Sequence, residues 1–127
     1  MNRVLQAIAI AGGGAVGALL RFWVSTGVHQ VLGRAFPWGT LVVNLIGSFV
    51  MGLLFVLFLE RSLVSGELRA LVLVGLLGAF TTFSTFSIET MSLIEQADYL
   101  KAASNALASV VLSICACWVG LVLGRQL

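Results

Sequence analysis

Four stretches of this chain contain no Asp, Glu, Lys or Arg: Val4 to Leu20, Gly39 to Leu59, Ala70 to Ile88 and Ala102 to Gly124. Each is close to the ~20 residues an α-helix needs to cross ~30 Å of hydrocarbon. In lipid the backbone has no water to bond, so each stretch must satisfy its own N–H and C=O groups, which a helix does. The pattern predicts an all-α membrane protein with four transmembrane helices. Composition agrees, with 9% of the 127 residues charged and 60% hydrophobic, against ~25% charged in soluble domains. The links are short, so residues 1–127 read as a single four-helix transmembrane domain. Arg3, the apolar run after it and Ala15-Val16-Gly17-Ala18 imitate a signal peptide. Because the chain begins at Met1, that segment is expected to be the first span.

Several functions drop out early. A net charge of +2 with no basic run gives nucleic acid nothing to hold. Cys115 and Cys117 project about 200° apart on a helix, so they can share neither a bridge nor a metal and read as small packing residues. His29 has no co-ligand at a useful spacing and reads as an interfacial polar group. There is no P-loop, and no nucleophile, base and orienting group in array, so an enzyme is not expected.

Four spans place both termini on one side, where Arg3, Arg61, Arg69 and Arg125 gather; Arg34 and Lys101 lie on the other, with Arg21 and His29 leaning that way. Arg21 follows Arg3 by about 27 Å of helix, which predicts snorkelling to the far interface. Loop charge sets orientation, and a near balance predicts insertion both ways and an antiparallel homodimer. Transport pathways are often built from inverted repeats, and 127 residues hold no second copy. Small residues four apart, Gly13 with Gly17, Ser48 with Gly52, Gly75 with Ala79 and Gly120 with Gly124, predict close helix contacts.

Polar residues form stripes. Thr40, Asn44 and Ser48 recur every four residues on the second span; Asn105, Ser109 and Ser113 do so on the fourth. On the third span, Gly78 to Ser87 carries five hydroxyls and three phenylalanines. A single Ser or Thr in a membrane helix usually bonds its own backbone or a neighbouring helix. Three aligned sets are enough to line a narrow track of neutral groups that donate as well as accept. With no acidic ring of the kind that serves cations, such a track suits a small anion. The ring edges of Phe80, Phe83 and Phe86 carry the positive end of the aromatic quadrupole and can add to it. Glu89, two residues beyond, is read as a cap of a helix end or the mark of a vestibule.

Gly39-Thr40-Leu41-Val42-Val43-Asn44-Leu45-Ile46-Gly47, then Gly78-Ala79-Phe80-Thr81-Thr82-Phe83-Ser84-Thr85-Phe86-Ser87, resembles the Fluc (CrcB) family of fluoride channels. Ala18-Leu19-Leu20-Arg21-Phe22 and Pro37-Trp38-Gly39-Thr40 extend the resemblance along the chain. It implies a passive fluoride-selective channel of the bacterial cytoplasmic (inner) membrane that exports fluoride and relieves its toxicity. It further implies an antiparallel dual-topology homodimer whose third helix is broken near its middle. The fluoride pathway would comprise Thr40, Asn44, Phe83, Phe86, Ser109 and Ser113. The backbone carbonyls of Gly78 and Thr81 from both subunits would hold a structural sodium ion that is not transported. Where the family commonly has Gly-Gly, this chain has Gly78-Ala79, so the backbone at Ala79 should stay right-handed or the break shift. Asn105 stands where some members carry an aromatic or aliphatic residue. The alternative is a small four-helix proton-coupled multidrug exporter, which needs an intramembrane carboxylate; Glu89 is the only candidate.

Overall fold

The computed structural model describes residues 2–127 and contains four helices long and apolar enough to span a membrane. Helix α1 (Arg3–Leu32) is capped by Asn2, whose side chain accepts from Val4 N at 2.8 Å, and it ends at Gly33, where φ of 82° suits glycine alone. Thirty residues amount to about 45 Å. That exceeds the ~30 Å hydrocarbon layer, and the helix runs on for 11 residues beyond Arg21.

Helix α2 (Trp38–Glu60) follows Pro37, which lacks the N–H that a helix start leaves unpaired anyway. Its last turn, Val56–Glu60, widens to five-residue hydrogen bonding, as in Arg61 N to Val56 O at 2.9 Å. Helix α3 (66–80), capped by Ser65 through Leu68 N, is wound the same wide way from Ala70 to Leu77. Thr81 and Thr82 are extended, with ψ of 158° and 123°, and helix α4 (Phe83–Glu95) continues the span. Helix α5 (Tyr99–Gln126) returns across the membrane after a turn in which Ala97 has φ of 59°.

Two helix pairs carry the packing, α2 on α5 and α1 on α3. Both depend on missing side chains. A Cβ on Gly13 or Gly17 would run into the backbone of Leu71 and Leu76, and one on Gly52 or Gly120 would strike the backbone of Cys117 or Phe49. Lipid is as apolar as leucine, so close backbone approach supplies much of the attraction between these helices. The small core is built around Leu41, Val43, Val56, Ala70, Leu73, Leu77 and Phe80. Many other large apolar side chains face outward.

The ends sort the charges. Arg125 pairs with Glu60 at 2.8 Å, and Arg61 donates to Arg125 O, on the face that carries both termini. On the opposite face Lys101 pairs with Asp98 and donates to Ala35 O, tying the α4–α5 turn to the α1–α2 loop.

Candidate functional site: a neutral polar furrow at the helix interruption

At Thr81–Thr82 the chain changes its hydrogen-bonding partners. Thr82 Oγ1 caps α4 by accepting from Thr85 N at 3.2 Å. Asn44 on α2 then grips the Thr82 peptide from both sides: its Oδ1 accepts from Thr82 N at 2.8 Å and its Nδ2 donates to Thr82 O at 3.0 Å. In an unbroken helix Thr82 N would bond Gly78 O and Thr85 N would bond Thr81 O. Both donors are engaged elsewhere, so the Gly78 and Thr81 carbonyls are released from their ordinary helical bonds.

Arg21 joins the same place. Its Nε donates to Ala79 O at 3.1 Å from a half-buried position. The guanidinium expected to snorkel thus has a backbone carbonyl beside the interruption as its partner. Ala79 keeps a right-handed helical backbone and is not among the positive-φ residues, so its methyl group costs no strain.

Beside the interruption lies a furrow of about 430 Å³ between α2, α4 and α5. Asn44 and Ser48 line it from α2, Phe83 and Phe86 from α4, and Ser109 and Ser113 from α5. Thr81, Thr82, Gly47, Met51, Val110, Ile114 and Cys117 complete the lining, which holds neither acid nor base. Asn44 spends one of the two Nδ2 hydrogens on Thr82 O, and the carboxamide retains one donor. The Phe83 and Phe86 rings lie 5.3 Å apart, tilted by 58°. Phe83 is 75% exposed, and the furrow is open on that side.

Five of the six side chains expected to line a pathway therefore meet: Asn44, Phe83, Phe86, Ser109 and Ser113. Thr40 does not. It is 6% exposed and absent from the lining, since residues four apart rotate by about 40° each step and the stripe turns out of the furrow toward its far end. Asn105 is more deeply buried than its stripe-mates, at 2%. Its Nδ2 donates to Thr90 Oγ1 at 3.0 Å, and its Oδ1 accepts from Ser109 Oγ at 3.3 Å.

Glu89 neither caps a helix end nor enters the furrow. It faces a second cavity, of about 340 Å³, with His29, Arg34, Ser92, Gln96 and Lys101, and its buried Oε1 has no hydrogen-bond partner among the described residues. His29 pairs through Nδ1 with Gly33 O at 3.2 Å, and its ring fills the space beside Gly39. Cys115 and Cys117 are free thiols. Thr82 is the central residue that the stripes did not single out. Its signal was a capping pattern, a Thr with a hydroxyl residue three positions on, at the start of an apolar-periodic run.

Four apolar spans and a neutral furrow lined by carboxamide, hydroxyl and aromatic groups define a multi-pass integral membrane protein. The model of the family "CrcB-like protein, Camphor Resistance (CrcB)" matches residues 8–121, and the chain belongs to this family. It is 58% identical over 123 residues to the fluoride-specific ion channel FluC of Methylococcus capsulatus, covering 97% of this chain and 54% of that one. The chain thus spans about half the length of that relative. With FluC of Magnetococcus marinus the identity is 55% over 121 residues, 95% of this chain and 98% of the other. With FluC of Geobacter sulfurreducens it is 49% over 120 residues, 94% and 97%. The chain is a multi-pass bacterial membrane protein.

Proposed function

We propose that the chain is a fluoride-selective, passive ion channel that lets fluoride leave the cytoplasm, and that the furrow is its conduction path. The relatives bear the name of fluoride-specific channels. The observation that carries the reading is the furrow's lining: carboxamide, hydroxyl and aromatic-edge groups with no fixed charge. Fluoride is small, strongly hydrated and a strong hydrogen-bond acceptor. A pore must therefore replace its water with closely set donors, which Asn44, Ser109 and Ser113 offer while the edges of Phe83 and Phe86 assist. Larger halides fit such a path poorly. An excess of fixed cations would hold the anion too firmly to let it go.

A furrow open on one side cannot carry an ion through lipid alone. The exposed ring of Phe83 and the balanced loop charges support closure by a second, antiparallel copy, with the interrupted third span at the crossing. Sodium suits that crossing, since a hard cation prefers oxygen ligands and the Gly78 and Thr81 carbonyls lack their helical donors. Bound there, it would supply a fixed positive charge that favours an anion nearby.

The test is efflux from liposomes followed with a fluoride electrode. Fast fluoride loss that rejects chloride and ignores a proton gradient is expected. Efflux that requires a proton gradient would overturn the channel and favour an exchanger.

A further inference from the structure

Behind the furrow, a three-residue relay joins α4 to α5 and ends on a pathway hydroxyl. Thr90 Oγ1 donates to Phe86 O at 2.8 Å, which commits the only proton of that hydroxyl to its own helix. Toward Asn105, Thr90 can then only accept. Asn105 must present Nδ2 to it, and does so at 3.0 Å, which turns Oδ1 toward Ser109. Buried amide oxygens need a donor. With Asn105 almost wholly enclosed, the one that reaches it is Ser109 Oγ at 3.3 Å. The direction of every proton follows from the first bond, so the Ser109 proton points along α5 and its lone pairs face the furrow.

Lone pairs repel an anion. For Ser109 to donate to one, its hydroxyl must turn and abandon Asn105 Oδ1 in a buried place. We infer that Asn105 is a positioning residue for anion passage: it holds the Ser109 proton in reserve, so that the donor is presented only when an anion competes for it. This inference rests on the fluoride-channel reading. At 3.3 Å the Ser109–Asn105 bond is longer than an ordinary O–H···O bond and correspondingly weak, which lets an anion take the proton and lets Asn105 reclaim it after the anion has moved on. The consequence is weaker anion binding than a permanently presented hydroxyl would give, and hence faster release.

The experiment is a double-mutant cycle in liposomes, with fluoride flux measured against fluoride concentration. Asn105→Leu keeps the side chain's bulk, removes Oδ1 and leaves Thr90 bonded to Phe86 O. It is expected to lower the half-saturating fluoride concentration roughly three- to tenfold, the worth of one ordinary hydrogen bond. In a Ser109→Ala background the same change should do nothing. An equal shift in both backgrounds would overturn the inference, because Asn105 would then act by packing. A second measurement separates this from failure of the channel reading. Fluoride, and not chloride, should move the Asn105 side-chain amide resonance in the native chain but not in Ser109→Ala. Absence of that movement overturns the relay even where flux is normal. Movement in a chain that passes no fluoride upholds the relay and overturns only conduction.

Discussion

Asn44 has two tasks that pull on one carboxamide. It pins the Thr82 peptide with its oxygen and one hydrogen, and turns the other hydrogen to the furrow. Asn44→Asp keeps the acceptor but loses both donors and places a negative charge in the path. Fluoride flux should fall to background in the liposome assay; a conducting Asn44→Asp channel would remove this residue from the pathway. The role proposed for the phenylalanines is through their edges, and an aromatic edge contact of about 1 kcal/mol is near a fivefold change in rate. Phe83→Ile or Phe86→Ile should slow flux by about that factor while gel filtration shows the same assembly as the native chain, and unchanged flux in both would deny the rings a role. The stripe spacing announced most of these side chains. It did not reveal that Asn44 grips a peptide 38 positions away, because the contact exists only once α2 and α4 are packed together. Nor could spacing alone exclude Thr40, whose burial depends on how far the stripe has rotated out of the furrow.

Among elements, the helices were legible and their ends less so. Absence of charge located all four spans, yet α1 runs on past Arg21 to Leu32, since an arginine able to donate to a carbonyl inside the protein need not end a helix. The interruption at Thr81–Thr82 arises where local chemistry competes with the helix: a threonine that can cap, next to a partner helix bearing a carboxamide that replaces the lost bonds. The small-residue pairs gave the close contacts correctly in kind, and the structure supplies the partners, α1 with α3 and α2 with α5. Gly120→Val should therefore force α5 off α2, where its side chain would meet the backbone of Phe49 and Leu53. Overpacking of this kind costs about 1–3 kcal/mol or more. The variant should show a lowered melting temperature or aggregate on gel filtration, and a native-like melt would mean the helices separate more easily than described.

At the scale of the whole molecule, the proposed pathway needs a second copy to close it. The chain's furrow is open, its cationic ends are nearly balanced, and its outward face is rich in large apolar groups. Dual insertion predicts that a label on a cysteine added after Leu127 is reached from both sides of the membrane in intact cells; one-sided labelling would rule out the antiparallel pair. Selectivity is the property that all the levels must produce together, since neutral donors, narrowness and closure by a partner each fail alone. It is measured most directly by recording the purified protein in planar bilayers with opposed fluoride and chloride gradients. The reversal potential should follow the fluoride gradient at every chloride concentration and pH, whereas a reversal potential that tracks chloride or protons would contradict the furrow as a fluoride path.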